Sequence, residues 1–294
     1  MSSKKILITG CDGQLGSELL RCVPDNITAI ATDAGQLDIT DAAQVREHIA
    51  STAPDWVINC AAYTAVDKAE DDRDTAFRIN HLGAQNLAQA IAESGGRMLQ
   101  VSTDFVFDGN QGSPYAPDAP ANPLSVYGDS KRQGEIAVSE SLGDRALVVR
   151  TSWLYSSHGN NFVKTILRLL ADKPELGIIA DQIGTPTWAA GLAGAAWKMI
   201  ELDMHGMHHW SDAGVASWYD FAVAIRDEAL QLGLLSSDTP IRAIATSDYP
   251  TPARRPPYSL MDKQPTWNAL GYQPPHWRAS LQSMLKELTD DYGN

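Results

Sequence analysis

The chain has 294 residues, 44% hydrophobic and 20% charged, a size and composition typical of a globular protein with one large domain or two smaller ones. Its net charge of −13 would repel nucleic acid and anionic membranes, so neither partner is expected. We find no signal-peptide pattern and no apolar run of the ~20 residues that span a membrane. The three cysteines form no CxxC pair, and any disulfide would leave one over, so we expect a cytoplasmic protein with reduced thiols.

Short β-rich runs alternate with helical patterns along the first half of the chain. In chain order we predict the strand "KKILITG", the helix "QLGSELLRCV", the strand "NITAIATD", the helix "DAAQVREHIAST", the strand "DWVINCAAY", the helix "DTAFRINHLGAQNLAQAIAES", the strand "RMLQVSTDFVF", a helix containing "VYGDSK" and the strand "RALVVRTSWLY". This alternation predicts a parallel sheet with helices on both faces. We therefore predict an α/β fold, with a Rossmann-type doubly wound parallel sheet in residues 1–150.

The second half of the chain is less regular. It holds two amphipathic helical patterns, "FVKTILRLLAD" and "WYDFAVAIRDEALQLGLL", and a loop rich in proline and aromatic residues, "SDYPTPARRPPYSLMDKQPTW". We predict that residues 151–294 form mainly a smaller, mixed α/β substrate-binding lobe over the carboxyl ends of the sheet. Some later segments are expected to return to the first domain.

Three glycines, Gly10, Gly13 and Gly16, follow the first strand and open the first helix. This context is typical of a dinucleotide-binding loop, in which the backbone approaches a pyrophosphate at the helix N-terminus. A plain strand–helix turn would also explain the glycines. Asp33 ends the second strand about twenty residues on, where an acid accepts hydrogen bonds from an adenosine ribose. With no arginine directly after Asp33, the pattern favours NADH over NADPH.

Tyr127 and Lys131 are four residues apart on a predicted helix and so share one face. A nearby cation favours phenolate, so we expect Lys131, together with the positive charge of an oxidised nicotinamide ring, to lower the pKa of Tyr127 and make it a usable acid–base group. Ser102 and Thr103 stand at the end of a preceding strand, where a hydroxyl can reach the same carbonyl oxygen. The glycine loop, this strand end and the Tyr/Lys helix in this order predict carbonyl reduction by a nicotinamide cofactor.

These motifs resemble the extended short-chain dehydrogenase/reductase superfamily and, within it, the dTDP-4-dehydrorhamnose reductase family. The similarity covers nearly the whole chain and includes "GQLG", "AAYTAVDKAE", "STDFVFDG", "NPLSVYGDSK", "RTSWLY", "GNNFVKT", "DQIGTPTW", "SWYDFA" and "ARRPPYSL". The resemblance implies NAD(P)H-dependent reduction of the C4 carbonyl of dTDP-4-dehydro-β-L-rhamnose to dTDP-β-L-rhamnose.

The resemblance also implies roles for individual residues. Tyr127 is the catalytic acid, Lys131 orients the nicotinamide ribose and tunes Tyr127, and Thr103 completes the proton-donating group. Asp104 helps to hold the sugar, and Trp153 lies against the hexose. The remaining positions that line the cofactor are Gly13, Gln14, Leu15, Asp33, Asp38, Ile39, Ala62, Tyr63 and Thr64.

Arg254 and Arg255 are candidates for binding the substrate diphosphate, since guanidinium suits bidentate phosphate contacts. Either could instead be a surface ion-pair residue. Some relatives place Mg²⁺ at a subunit contact through glutamates, and Glu18 matches one such position, but we predict no metal site here. A homodimer is left open.

Three alternative functions remain to be weighed. Related dehydratases place a glutamate where this chain has Phe105, which cannot exchange protons, and related 4-epimerases have small residues in place of Asp104. A nucleotide-sugar 4-epimerase or reductase acting on a related 4-keto-6-deoxy sugar therefore stays an alternative. The third is a non-catalytic subunit that resembles the beta subunit of methionine adenosyltransferase.

Overall fold

Strands and helices alternate in the computed structural model, which describes residues 3–292. The strands are β1 (Lys4–Thr9), β2 (Ile27–Thr32), β3 (Trp56–Asn59), β4 (Arg97–Thr103), β5 (Ala146–Thr151), β6 (Leu154–Tyr155), β7 (Leu176–Ile179), β8 (Ile183–Gly184), β9 (Thr187–Trp188), β10 (Gly206–His209), β11 (Ala216–Ser217) and β12 (Ile241–Ile244). The α-helices are α1 (Gln14–Arg21), α2 (Ala42–Thr52), α3 (Arg73–Phe77), α4 (Ala84–Glu93), α5 (Val126–Leu142), α6 (Phe162–Asp172), α7 (Ala189–Glu201), α8 (Trp218–Gln231), α9 (Gln264–Leu270) and α10 (Trp277–Tyr292).

Within the described residues, six strands form one parallel sheet in the order β10-β5-β4-β3-β1-β2. The chain passes from β1 to β2 on one side and then to β3 on the other. Strand order therefore reverses beside β1, which opens a crevice at the carboxyl ends of β1 and β3. The α/β fold with a doubly wound parallel sheet is confirmed, and its outermost strand β10 comes from beyond residue 150.

The two faces of the sheet are covered by different helices. Successive residues of a strand point to opposite faces, so Ile6 and Ile8 pack into a cluster with Trp197 of α7, whereas Leu7 packs into a cluster with Leu87 of α4. Every residue of β3 and β5 is buried, as expected for strands enclosed on both faces.

A third core lies among α6, α8 and α10, around Phe221 and Leu281. The short strands near it pair as β8 with β11 (antiparallel), β7 with β12 (parallel) and β6 with β9 (parallel). The mixture of helices and short strands fits the predicted α/β character of the second half, while the domain boundary near residue 150 stays a prediction. Nowhere in residues 3–292 does a helix combine the length and apolarity needed to cross a bilayer.

Two predicted elements are interrupted. The helix predicted after β3 contains a π-helical segment, Arg78–Gly83, between α3 and α4. The strand predicted over "RALVVRTSWLY" breaks between β5 and β6, because Trp153 adopts a left-handed backbone with φ +47°. Both π-helical segments and left-handed non-glycine residues recur at functional sites.

Helix α5 lies in close contact with neighbouring backbone at two glycines. A Cβ added to Gly128 would overlap the carbonyl oxygen of Phe105, and one added to Gly134 would overlap the carbonyl oxygen of Asn80. Asn80, in the π-helical segment, also donates a hydrogen bond of 3.0 Å from Nδ2 to Ser130 Oγ. These contacts fix the helix that carries Tyr127.

Gly134→Ala should lower the free energy of unfolding by about 1–3 kcal/mol, since overpacking outweighs the gain in helix propensity. Gly194 in α7 is a matched control, because a Cβ added there would meet no atom within 4 Å. Gly194→Ala should raise the free energy of unfolding by up to about 1 kcal/mol. Urea denaturation of both variants measures the difference, and equal gains in stability would contradict the tight contact.

Candidate active site

A cavity of about 540 Å³ opens at the carboxyl ends of β1, β3, β4 and β5. A second cavity of about 260 Å³ adjoins it, and both are lined by Gly10, Gly13, Cys60 and Ala62. The predicted site residues that line the larger cavity are Gly10, Gly13, Gln14, Leu15, Gly16, Ala62, Thr64, Thr103, Asp104, Tyr127, Lys131, Trp153 and Arg255. Those that line the smaller one are Gly10, Gly13, Asp33, Asp38, Ile39 and Ala62.

The glycine loop has the close approaches that its pattern predicted. Gly10 has φ +66°, and a Cβ there would lie 2.7 Å from the backbone nitrogen of Ala61. A Cβ at Gly16 would overlap the Gly10 carbonyl oxygen. Gly13 is the N-cap of α1 and provides no side-chain acceptor, so the first N–H groups of the helix are available to phosphate oxygens at the cavity. The loop therefore fits a dinucleotide pyrophosphate.

The smaller cavity carries two acids. Asp33 Oδ1 accepts hydrogen bonds from the backbone nitrogens of Gly35 (2.8 Å) and Gln36 (2.9 Å). Asp38 Oδ1 accepts from the backbone nitrogen of Thr40 at 2.9 Å. These backbone hydrogen bonds engage the Oδ1 atom of each aspartate and hold its carboxylate at the cavity wall. This arrangement suits an adenosine whose ribose hydroxyls donate to Asp33.

The loop after β3 holds three predicted cofactor residues, and only two of them line a cavity. Ala62 and Thr64 line the larger cavity, whereas Tyr63 lines neither one. The backbone nitrogen of Tyr63 donates to Asn80 Oδ1 at 2.9 Å, and its hydroxyl donates to Asp72 at 3.2 Å. Asn80 was missed in the sequence, although an asparagine inside a long apolar helix could have marked it. It holds this loop against α5.

Tyr127 and Thr103 meet in the larger cavity. Burial raises the pKa of Tyr127 to about 12, the charge of Asp104 adds to this, and the Thr103 hydroxyl acts in the opposite direction. Lys131 is not among the groups that lower this pKa, so the protein by itself does not produce the lowering that we expected from Lys131 together with an oxidised nicotinamide ring. Lys131 Nζ instead donates a hydrogen bond of 2.6 Å to the carbonyl oxygen of Val101. Tyr127 is therefore a protonated phenol at neutral pH.

Lys131 is 4% exposed, and burial lowers the pKa of its amine to about 8, against the opposing effect of Glu135 one turn along α5. Glu135 is itself neutralised, since it binds Arg150 through two contacts of 2.8 Å. Lys131 is thus a buried cation in the wall of the larger cavity, held by the strand backbone of β4.

Asp104 is 1% exposed and connects two parts of the chain. Thr103 Oγ1 donates to one of its oxygens at 3.1 Å, and Ser259 Oγ donates to the other at 2.5 Å. Burial raises the pKa of this carboxyl to about 6, while the two hydroxyls oppose the rise. Ser259 was not predicted, because its contact joins residues 155 positions apart.

Trp153 lies against a second aromatic residue in the cavity wall. Its ring is stacked on Trp218 with centroids 3.7 Å apart and planes 8° apart. Gly184 packs behind the indole, where a Cβ would lie 2.7 Å from the ring. Trp218 and Phe162 also line the cavity and were read from sequence as parts of amphipathic helices. Together these rings form an apolar wall, in which Phe162 is tilted by 53° against Trp218.

Comparison with known proteins assigns the chain that carries this site to a family. A family model described as the RmlD substrate binding domain matches residues 4–290. The dTDP-4-dehydrorhamnose reductase of Aggregatibacter actinomycetemcomitans is 41% identical over 288 residues, which cover 95% of this chain and 98% of the relative. The chain belongs to the dTDP-4-dehydrorhamnose reductase family.

Solved structures of family members have the same fold. A dTDP-4-dehydrorhamnose reductase from Clostridium acetobutylicum superimposes with a TM-score of 0.91 at 39% identity, over 97% of this chain and 99% of that one. The Bacillus anthracis dTDP-4-dehydrorhamnose reductase, solved in complex with NADP, gives a TM-score of 0.90 at 36% identity, with the same coverage. The family predicted from the sequence motifs is confirmed.

The two arginines predicted to bind diphosphate lie in different surroundings. Arg255 lines the larger cavity and pairs with Asp67 at 2.7 Å, with its guanidinium 6.0 Å from the ring centre of Phe105. Arg254 is exposed and lines neither cavity. Of the two, Arg255 has the geometry to reach a ligand in the cavity.

Glu18, which matches a metal position in some family members, is 1% exposed. It accepts a hydrogen bond of 2.7 Å from Ser156 Oγ and pairs with Arg21 at 2.8 Å. In the part of the chain that the structure describes, no group of three or more His, Cys, Asp and Glu side chains could hold a metal ion. Glu18 instead ties α1 to the loop after β6.

Lys131→Met should stabilise the folded state in a manner that depends on pH. The amine has a pKa of about 8 when folded and near 10.5 when unfolded, so between these values the unfolded chain binds more protons. Stability of the wild type therefore rises relative to the variant as pH increases through this window. At neutral pH, urea denaturation should give the variant a free energy of unfolding up to about 3 kcal/mol higher than that of the wild type. This difference should shrink toward pH 10. A difference independent of pH would contradict a desolvated amine.

Proposed function

We propose that the chain reduces the C4 carbonyl of dTDP-4-dehydro-β-L-rhamnose with NAD(P)H, forming dTDP-β-L-rhamnose. The observation that carries the proposal is the convergence of Tyr127, Thr103 and Lys131 in one cavity with the glycine loop. Membership of the dTDP-4-dehydrorhamnose reductase family supports the choice of substrate. A reduced nicotinamide supplies the hydride when bound, and the protein supplies orientation and proton transfer.

In this reaction Tyr127 acts as the proton donor. Its raised pKa of about 12 keeps the phenol protonated before hydride transfer. The alkoxide that forms at C4 is a stronger base than the Tyr127 phenolate. Its conjugate acid is an aliphatic alcohol, whose pKa is closer to that of water, about 15.7. Proton transfer from Tyr127 is therefore favourable once the hydride arrives. To donate to the same oxygen, the Thr103 hydroxyl would turn away from Asp104, to which it donates in this structure.

The remaining cavity residues suit a nucleotide sugar. The stacked indoles of Trp153 and Trp218 offer an apolar platform for one face of the hexose. Asp104 stands beside Thr103 and can accept from a sugar hydroxyl. Lys131 lines the same cavity as the glycine loop and is the residue we propose to hold the nicotinamide ribose. Arg255 can bind the diphosphate, which an acidic protein must attract through local groups.

For the cofactor, we propose a preference for NADH. Asp33 at the wall of the smaller cavity suits a free ribose 2′-hydroxyl and would repel a 2′-phosphate. The Bacillus anthracis relative was solved in complex with NADP. We therefore propose that this chain binds NADH more tightly than NADPH, and not that it excludes NADPH. Mg²⁺ is left out of the mechanism, since Glu18 already has partners.

The proposal places the reaction in the cytoplasm. All three cysteines are free, which suits a reducing compartment. The partner we propose is the dTDP-sugar substrate, and a homodimer stays open.

Incubating the chain with dTDP-4-dehydrorhamnose and each reduced cofactor should consume NADH faster than NADPH and yield dTDP-rhamnose. Tyr127→Phe should lower kcat by about 10²–10⁴-fold while leaving the Kd for NADH unchanged, because only the proton donor is removed. Absorbance of the reduced nicotinamide and product analysis measure both. No sugar-dependent oxidation, or near-normal turnover by Tyr127→Phe, would contradict the proposal.

Arg255→Ala should raise the KM for the nucleotide sugar by about 10-fold or more, because a charged hydrogen bond contributes roughly 1.5–3 kcal/mol. Arg254→Ala is the matched control, since the neighbouring side chain is exposed and lines neither cavity. Steady-state kinetics of both variants decide the point. Equal effects of the two substitutions on KM would remove Arg255 from the diphosphate site.

A further inference from the structure

A short turn after β3 carries two carboxylates that bind two different parts of the site. The turn is a 3₁₀-helix, Lys68–Glu70, with Asp67 as its N-cap residue. Asp67 and Glu70 are three positions apart, and neither was singled out from the sequence. Each accepts hydrogen bonds from a segment that lies far away in the chain.

Asp67 holds the loop that carries Arg255. Its Oδ2 accepts from the Arg255 guanidinium at 2.7 Å, and its Oδ1 accepts from the backbone nitrogen of Ala253 at 3.2 Å. One edge of the guanidinium is thereby engaged, while the side chain still lines the cavity. Because arginine has five N–H donors in a rigid fork, the remaining donors stay available to a ligand.

Glu70 holds the first residue of the Tyr127 helix. Its Oε1 accepts from the backbone nitrogen of Val126 at 2.9 Å. Ser125, the N-cap of α5, accepts from Gly128 at 3.2 Å, so the two side chains satisfy different N–H groups of the first turn. Val126 directly precedes Tyr127 in the chain, so loss of this hydrogen bond would loosen the backbone one residue before the proposed proton donor.

The turn itself is anchored on its inner side. Ala69 is fully buried, and its backbone nitrogen donates to the carbonyl oxygen of Ala65 at 2.9 Å. The turn follows directly on the cavity-lining residues Ala62 and Thr64. A rigid segment of about ten residues thus connects the cofactor end, the Arg255 loop and the start of α5.

We propose that Asp67 and Glu70 are positioning residues for carbonyl reduction, with Asp67 orienting Arg255 toward the substrate diphosphate and Glu70 aligning Tyr127 with the carbonyl oxygen. The proposal rests on the proposed function. It separates the two roles kinetically: Asp67 acts on substrate affinity, and Glu70 acts on the chemical step. A displacement of about 1 Å at a reacting group can cost about 10²-fold in rate, so a backbone contact next to Tyr127 matters.

Asp67→Ala should raise the KM for the nucleotide sugar at least about fivefold and leave kcat within about twofold, because Arg255 regains rotamer freedom. Glu70→Ala should lower kcat by about 10–100-fold and leave KM within about twofold. Glu70→Gln should recover most of this rate, since its amide oxygen can still accept from Val126. Asp71→Ala, which removes an exposed carboxylate in the same turn, should change neither quantity.

Calorimetric titration with dTDP gives a second readout that does not need turnover. Asp67→Ala should weaken dTDP binding by a similar factor, whereas Glu70→Ala should not. If the wild type binds dTDP but oxidises no cofactor with the sugar, the proposed function fails while the Asp67 result still stands. The role of Asp67 would be overturned if Asp67→Ala left the dTDP affinity unchanged. The role of Glu70 would be overturned if Glu70→Gln did not restore the rate. Both roles would be overturned if the two alanine variants changed kcat and KM to the same extent and both had a lowered Tm.

Discussion

The close contact between α5 and its neighbouring backbone is the constraint on which the rest of the site depends. Gly128 and Gly134 allow the helix to touch the carbonyls of Phe105 and Asn80, which larger residues would prevent. This approach brings Tyr127 to the carboxyl edge of the sheet, where the strand ends and the glycine loop meet. Glu70 and Ser125 then accept hydrogen bonds from the backbone on either side of Tyr127, at Val126 and Gly128, and so fix the first turn of the helix.

Burial at this edge shifts the pKa values of three cavity residues toward their neutral forms. Removing charges from water favours the neutral forms, so the phenol of Tyr127 is protonated, the pKa of Lys131 falls to about 8 and that of Asp104 rises to about 6. In the proposed reaction Tyr127 has to carry a proton before hydride transfer, and a phenol with a pKa of about 12 carries one at neutral pH. Because the chain has a net charge of −13, an anionic substrate has to be attracted by individual cationic residues such as Arg255.

The parts of the site that the sequence predicted well are those in which neighbouring residues define the backbone. The glycine loop, the strand end at Thr103 and the Tyr127–Lys131 spacing are local patterns with one structural outcome. Contacts between distant segments, such as Ser259 with Asp104 or Arg255 with Asp67, depend on how loops return over the sheet and leave no local pattern. The raised pKa of Tyr127 was also missed, because burial depends on how distant segments pack around the phenol and helical spacing does not report it.

The most direct test of the account is a crystal structure of the chain with an oxidised nicotinamide dinucleotide and dTDP-β-L-rhamnose. The account predicts the hydroxyl of Tyr127 within hydrogen-bond reach of the sugar O4, at roughly 2.6–3.2 Å, with C4 facing the nicotinamide ring. A complex in which the phenol points away from O4, with another side chain in its place, would contradict it.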